Sequence, residues 1–565
     1  MKLFTEIGIP KNKKNKINYS INLNELEEGI SSFDQFFVNK NKKKINIFDR
    51  NCDHAGGKLI SRNGSIICPM HNWELDINSL TYKNGIKKKQ IDFKIKNNSI
   101  EFTIEEIIPE ISLSKKFNYS DLKISFFNHA FLKVSNKNFA FATDPWAIGS
   151  SFANGWWLKN KTRGNWLKEI NELDFIYISH NHPDHLHAET LSKINKEIPI
   201  VIPKFQTDST GVLIEDLGFN NVIRLEFNTE YKLDNSDLIL ILFKSGDFRE
   251  DSGIYFSIHD FKLLFDVDSN NINFGRFPKV DVYATSFSSG ASGYPLMFDN
   301  YNKDEKKKIL NTNKNFTKRI KEKALLSTKT KYFLPYASFF VEKAARDKEI
   351  YDHNVKIKIR DYKKFCKNNK IIILDTEKQN EFKFTKKKLF KEKIDIVENN
   401  LENVEEKINI FKLKYNEIDE EYIKDYFVSS KFNDKLDLFI SLTDDDFKIS
   451  SKNYYINFSK TSIIFKNLKE NELIKIYNKK NSNRKLHIKA RKESFLYIIY
   501  NKLPWEDLLI GFQCKILRSP NIYNTRFWYH FTNVYISKKF VRASLNCDSC
   551  KIISQKFDDD MYGNK

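Results

Sequence analysis

The sequence predicts a multidomain chain of α/β and β architecture. It has an all-β N-terminal sandwich, a central αβ/βα sandwich and a C-terminal α+β domain. Three observations predict this. Residues 1–112 read as short strands separated by turns, with runs such as Ile45-Asn46-Ile47-Phe48 and Ile100-Glu101-Phe102-Thr103-Ile104. Residues 113–375 alternate apolar runs with helical stretches. Residues 431–565 return to strands after a Lys- and Glu-rich stretch, 376–430, that contains no Gly or Pro and reads as a charged helical connector. A length of 565 residues fits about three or four domains, and 41% apolar with 14% aromatic residues is ample for buried cores.

In the first domain, Cys52-Asp53-His54 is followed after thirteen residues by Cys68-Pro69-Met70-His71. Each loop offers one thiolate and one imidazole. A Rieske [2Fe–2S] cluster needs that allocation, two Cys on one iron and two His on the other. A Cys2His2 zinc site is the competing reading, but zinc fingers usually pair Cys with Cys and His with His in sequence. Cys52, His54, Cys68 and His71 are therefore the candidate cluster ligands. Gly56 and Gly57 let the backbone approach the cluster closely.

In the central domain, the apolar run Phe175-Ile176-Tyr177-Ile178 leads into Ser179-His180-Asn181-His182-Pro183-Asp184-His185-Leu186-His187. Only 11 histidines occur in the chain, and four fall within these eight positions. Imidazole and carboxylate together suit zinc, iron and manganese. His-x-His-x-Asp-His after a strand resembles the metal-binding signature of the metallo-β-lactamase fold. That resemblance implies one metal on His180, His182, a later His and a bridging Asp, and a second on Asp184, His185, the same Asp and a late His. Asp268, after Leu263-Leu264-Phe265-Asp266-Val267, fits the bridge. Leu334-Pro335-Tyr336-Ala337-Ser338 occupies the region of the late histidine, which is missing. For Asp144, at the end of Phe139-Ala140-Phe141-Ala142-Thr143, bracing the metal loop and ligation are both open.

The third domain shows no catalytic motif of its own; Cys547-x-x-Cys550 reads as an incidental pair. The six cysteines are too sparse for a disulfide framework, which fits a reducing cytoplasm. The net charge of +21 comes from dispersed lysines without a compact basic stripe, so a nucleic-acid partner is not expected. The charge should steer anionic substrates and acidic proteins toward the chain. The N-terminus has no signal-like apolar region, and no apolar run reaches about 18 residues, so membrane insertion is not expected either.

A third set of residues narrows the function. Phe126-Phe127-Asn128-His129-Ala130, Asp144-Pro145-Trp146, Gly155-Trp156-Trp157-Leu158, Gly290-Ala291-Ser292-Gly293-Tyr294-Pro295, Ile510-Gly511-Phe512-Gln513 and Phe527-Trp528 resemble the CMP-N-acetylneuraminate hydroxylase family. The resemblance implies a monooxygenase that converts the N-acetyl group of a CMP-sialic acid, or a related CMP-activated N-acyl sugar, to N-glycolyl. It implies dioxygen as cosubstrate and NAD(P)H acting indirectly through a reductase. The reductase would serve an acidic carrier: a b-type cytochrome, a ferredoxin or a flavodoxin. It also implies a non-haem iron centre, mono- or dinuclear, with His180, His182, Asp184 and His185 catalytic. His180 and His182 with Asp247 or Asp268 would hold the main iron, Asp247 standing where the hydroxylases have a histidine. Asp184 and His185 would hold a weaker second metal or back the first. Trp146, Trp156, Trp157 and Arg518 are candidates for gripping cytidine. Two other classes compete: a lactonase- or phosphodiesterase-type hydrolase with a redox-sensing Rieske domain, and a non-enzymatic electron-transfer protein.

Overall fold

The computed structural model describes residues 3–42, 44–53, 57–62, 65–68, 73–83, 85–110, 122–205, 207–244, 250–269, 272–273, 279–385, 389–394, 403–458, 463–481 and 483–536. The N-terminal domain is built from antiparallel strands, as the turn-punctuated sequence requires. Strands Phe36–Lys40 and Ile45–Asp49 pair at its centre. Their alternate side chains enter two different cores. Phe36, Val38 and Ile47 join Ile21, Ile100 and Phe102. Phe37 and Phe48 join Cys52, Cys68, Trp73 and Tyr82.

The central domain is two eight-stranded sheets packed face to face. One runs Phe4–Gly8, Glu230–Leu233, Leu238–Lys244, Ser252–Ile258, Phe261–Val267, Val282–Ser286, Tyr332–Tyr336, Ile372–Ile373. The other runs Val222–Leu225, Ile200–Pro203, Phe175–Tyr177, Ala140–Thr143, Phe131–Ser135, Leu122–Asn128, Glu381–Phe384, Leu389–Glu392. Their inner faces share one apolar core that includes Phe141, Phe175, Tyr177, Phe256 and Phe265. Helices cover the outer faces, with Trp166, Ile170, Leu191 and Ile214 packed over the second sheet. The expected αβ/βα sandwich is what forms.

Two expected boundaries move. Phe4–Gly8 pairs antiparallel with Glu230–Leu233, and Phe4 packs edge-on against Phe175 with centroids 5.3 Å apart. The first strand thus belongs to the central sandwich and not to a domain 1–112. The stretch 376–430 is not a solvated helical connector. Phe382 and Phe384 are buried at alternate positions between charged residues, the period of a strand, and Glu381–Phe384 pairs with Leu122–Asn128. Helix Glu420–Ser429 buries Ile423, Tyr426 and Phe427 in the third domain. The Lys- and Glu-rich composition hid these periodicities.

The third domain is a five-stranded sheet ordered Ile464–Asn467, Ser450–Asn457, Leu436–Thr443, Arg484–Arg491, Cys514–Ser519. Its core is continuous with the central domain, because Trp146, Phe152, Trp156 and Leu158 pack into it. The junction is a backbone contact: a Cβ added to Gly155 would lie 1.9 Å from the Gly511 carbonyl oxygen. Trp156 Nε1 donates to the Ile510 carbonyl at 3.0 Å across the same seam. Among the described residues no helix is long and apolar enough to cross a membrane. Gly155→Ala should separate these backbones and cost about 3 kcal/mol, the upper range for overpacking. Calorimetry should then show a lower melting midpoint, whereas an unchanged midpoint would mean the seam carries no stability.

Candidate metal centre and substrate cleft

The strand Phe175–Tyr177 ends at a loop that one carboxylate organises. Asp144 is fully buried, with φ +39°, at the end of the neighbouring strand Ala140–Thr143. Its Oδ1 accepts from Ser179 N at 2.7 Å and its Oδ2 from Ser179 Oγ at 2.7 Å and His185 Nδ1 at 3.0 Å. Asp144 therefore braces the loop, which decides between its two expected roles. The brace sets tautomers as well as positions. Ser179 Oγ gives its proton to Asp144, so it accepts from His180 Nδ1 at 2.9 Å and leaves the lone pair on His180 Nε2. Burial, helped by His185 and His182, pushes His180 well below the ordinary imidazole pKa, so it stays neutral.

His180 Nε2 is hydrogen-bonded to His182 Nδ1 at 2.9 Å and lies 3.9 Å from Asp251 Oδ1. His180, His182 and Asp251 each bring one donor atom to within 4.8 Å of one another. The same holds for His180, His185 and Asp268, and for His129, Asp184 and His185. His185 Nε2 is buried without a hydrogen bond, 3.3 Å from Asp184 Oδ2 and 3.5 Å from Asp268 Oδ2. Asp184 Oδ1 is likewise buried and unsatisfied, while its Oδ2 meets His129 Nε2 at 3.0 Å. Orphaned buried acceptors are costly unless something outside the protein satisfies them. Imidazole nitrogens and carboxylate oxygens aimed at common points fit a transition-metal ion.

The electrostatics agree. Burial disfavours the Asp184 carboxylate, but His185 and His129 outweigh it and hold its pKa well below the usual range. Burial opposes the charge on Asp268 too, and His185 again overcomes it. Conversely, Asp184, Asp144 and Asp268 raise His185 well above the ordinary value against burial.

Some expected residues are placed elsewhere. Asp247 lies outside the described residues; Asp251, just before strand Ser252–Ile258, is the carboxylate beside His180 and His182. His187 caps a helix, accepting from Thr190 N at 3.1 Å and reaching the Ser150 carbonyl at 3.0 Å; burial brings it down to about 4. Ala337 and Ser338 line the cleft where a late histidine was expected. His129 enters from the other direction. Its carbonyl accepts from Ala337 N at 2.8 Å, and its ring faces Asp184 from the turn after Leu122–Asn128. Sequence reasoning missed three functional candidates: His129, Asp251 and Glu506. His129 was visible only as part of a motif, and Asp251 sits before a strand where carboxylates at strand ends were sought. Glu506 lies in another domain, with no local signal.

A cleft of about 670 Å³ opens onto this centre. His182, Asp251 and Asp268 lie on its wall with Glu506, the Ser288–Ser292 segment and Arg518. Trp156 lines it, stacked on Phe340 at 3.6 Å, whereas Trp146 and Trp157 are fully buried and remain in the core. The third domain reaches the centre through Glu506, whose Oε2 is 3.9 Å from His182 Nε2. Burial lowers the His182 pKa, but Glu506 and Asp251 more than compensate and raise it. Next to Glu506, burial pushes Asp507 up to about 8.

In the N-terminal domain, Cys52 and Cys68 are buried in one core. The Cys52 N–H donates to the Gly57 carbonyl at 2.8 Å. Buried Lys88 ties this loop down by donating to Asp49 Oδ1 at 3.1 Å, Asn51 O at 2.8 Å and Asp53 Oδ2 at 3.1 Å. Tyr82 OH donates to Asp53 Oδ2 at 2.7 Å. His54 and His71 lie outside the described residues. The loop touches the central domain: Asn273 Nδ2 donates to Asn51 Oδ1 at 3.0 Å, five residues past Asp268.

Residues 21–90 match the Rieske [2Fe-2S] domain. The chain is 27% identical over 565 residues to the cytidine monophosphate-N-acetylneuraminic acid hydroxylase of Xenopus laevis, covering 91% of this chain and 92% of that one. The Mus musculus protein of the same name is 27% identical over 567 residues, covering 90% and 93%. Among solved structures, CmlA, a diiron β-hydroxylase from Streptomyces venezuelae, aligns at 15% identity. That alignment covers 41% of this chain and 46% of that one, with a TM-score of 0.28. The resemblance to the CMP-N-acetylneuraminate hydroxylases thus extends over nearly the whole chain.

Carboxylates that orient a metal-binding imidazole typically matter 10- to 100-fold in metal affinity. Glu506→Ala should therefore release metal about tenfold or more faster to a chelator than the parent protein, with Glu506→Gln in between. Equal release from all three would show that Glu506 does not act through His182.

Proposed function

We propose that this chain is an iron-dependent monooxygenase that hydroxylates the N-acetyl group of CMP-N-acetylneuraminate, or a related CMP-activated N-acyl sugar, to N-glycolyl. One observation carries the reading: a Rieske domain and a histidine–carboxylate centre share one chain. The Rieske loop meets, through Asn51 and Asn273, the segment that follows Asp268. A redox cluster has no use beside a hydrolytic zinc site. It does have one beside iron, which when held by histidines and carboxylates with open positions supplies the oxidant that a methyl C–H bond demands and no side chain provides. Overall one oxygen atom enters the C–H bond and the other leaves as water, with two electrons and two protons consumed.

The residues divide the work. His180 and His182 with Asp251 would hold one metal, Asp251 taking the place expected of Asp247. Asp184 and His185 with His129 would hold the second position, and Asp268 stands between the two. Asp144 keeps His180 and His185 in the tautomers that present Nε2 to the centre. Cys52 and Cys68, with His54 and His71, would hold the cluster. Phe152, Trp156, Leu509 and Ile510 wall the cleft and limit water there. Asp507, with a pKa near 8 from burial, keeps a proton on its carboxyl at neutral pH close to the site.

The electrons would come from NAD(P)H through a reductase and an acidic carrier, which suits a cytoplasmic enzyme. The charge of +21 supports such a partner. Reduction of the cluster by an acidic carrier should slow several-fold between about 0.01 and 0.15 M salt as the Debye length shortens. A rate indifferent to salt would exclude electrostatic docking. His182→Ala should abolish N-glycolyl product while the Rieske paramagnetic signal still appears on reduction, because cluster and metal centre occupy different domains. Product formation by His182→Ala at the parent rate would defeat the assignment.

A further inference from the structure

Arg518 is the second cation on the cleft wall, and its surroundings differ from those of the first. Among the described residues, Lys321 and Arg518 are the lysine and arginine that line the cleft. Lys321 is occupied: its ammonium donates to Thr285 Oγ1 at 2.6 Å and lies in the field of Asp266 and Asp268. Arg518 is 8% exposed, and its guanidinium pairs with no carboxylate among the described residues. A nearly buried guanidinium without a counter-ion is costly unless a ligand supplies one.

The position is built rather than incidental. Asn300 clamps the Arg518 backbone from the central domain, Nδ2 donating to its carbonyl at 2.8 Å and Oδ1 accepting from its N–H at 3.1 Å. The guanidinium lies over the Phe298 ring at 4.8 Å, and Nε donates to Asn521 Oδ1 at 2.9 Å. These contacts use one edge and one face and leave the terminal nitrogens clear of acidic partners. Beside it the Tyr294 and Tyr301 hydroxyls are hydrogen-bonded to each other at 3.2 Å, which leaves the pair one O–H to donate to an anion.

We propose that Arg518, with Tyr294 and Tyr301, is the subsite for the phosphodiester of a nucleotide-activated substrate. This rests on the substrate class read above. The forked guanidinium matches phosphate oxygens in pairs. The charged part of a substrate is drawn to the unpaired guanidinium of Arg518, which leaves its uncharged N-acyl group free to reach the metal. Tyr294 and Tyr523, aromatic residues of the cleft wall, are the rings available to the base that the phosphate carries. Because Asn300 and Arg518 come from different domains, the subsite exists only when those domains are docked.

The test uses the full-length, iron-loaded protein as parent, Arg518→Ala and Arg518→Lys, titrated calorimetrically with CMP, cytidine and free N-acetylneuraminate. A charge-assisted contact of this kind predicts that Arg518→Ala weakens CMP about 10- to 100-fold. Arg518→Lys should recover part of the loss, while cytidine stays within about threefold and iron content is unchanged. In turnover the loss should fall on KM rather than kcat. CMP bound equally by parent and Arg518→Ala overturns the subsite while leaving the substrate class intact. Loss confined to N-acetylneuraminate overturns it in favour of a carboxylate. If the parent prefers UMP or GMP to CMP and Arg518→Ala weakens that nucleotide, the subsite stands and the cytidine reading falls. A parent that binds no nucleoside monophosphate overturns both. Should Arg518→Ala fail to fold, Arg518→Lys and Tyr294→Phe, read against CMP in the same way, decide the matter.

Discussion

The metal centre depends on the buried carboxylate of Asp144. A carboxylate removed from water is tolerated only when its lone pairs are met, and here three donors meet them: the Ser179 amide, the Ser179 hydroxyl and His185 Nδ1. Each of those bonds has a second effect. The amide bond stops the strand at Tyr177 and turns the chain, the hydroxyl bond passes a constraint on to His180, and the imidazole bond turns His185 Nε2 inward. Strand pairing through Asp144 N to the Tyr177 carbonyl at 2.9 Å keeps brace and loop in register. The brace thereby fixes the positions of His180 and His185. A positive φ at Asp144 belongs to this arrangement, since it is strain that the surrounding bonds must hold in place.

The third domain completes what the central sandwich leaves open. It supplies Glu506 beside His182, Arg518 on the cleft wall, and the peptide 510–511 against which Gly155 and Trp156 close. The docking is locked by buried charge. Arg491 is 1% exposed, and its Nη1 donates to Asp347 Oδ1 at 2.6 Å. Arg346 reaches Asp445 at 3.2 Å and also pairs with Glu493. Such pairs add little net stability, because desolvation offsets most of their attraction. Misdocking that breaks them, however, leaves charges buried alone. They act as a registration device that holds Glu506 and Arg518 at fixed offsets from the metal centre.

The legible part of this protein was the part that local rules govern. The mixed Cys–His loops, the His180 loop and the strand–helix alternation are short-range patterns; among the described residues the structure buries Cys52 and Cys68 in one core, sets the His180 loop at the end of strand Phe175–Tyr177 and folds the alternation into the central sandwich. What escaped was set at long range. Phe4–Gly8 is a five-residue strand whose partner lies more than two hundred residues away. The strand Glu381–Phe384 is disguised by its short length and by Glu381, buried against Ser125 and Arg163, and the exposed Lys383. Asp251 and His129 carry no spacing signal, since they approach the metal loop from other strands, and Glu506 approaches it from another domain. Ala337 and Ser338 stand on the cleft wall in the region where a late histidine was sought. The consequence for the site was not foreseeable, because His129 approaches Asp184 from the opposite end of the sandwich.

The same long-range assembly bears on how electrons and substrate share one centre. Lys88 and Tyr82 bond to Asn51 and Asp53 from within the N-terminal domain, and Asn273 bonds to Asn51 from the central one. Asp268 lies upstream of that contact and faces His185, so the cluster domain is joined to the bridging side of the metal centre. The third domain faces the other side, through His182 and Glu506. The Rieske-side contact and the third-domain contact therefore approach the histidine–carboxylate cluster through different residues, Asn273 near Asp268 on one side and His182 with Glu506 on the other. A change in the Cys52 loop and a change at the His182–Glu506 pair would therefore reach the cluster by separate routes.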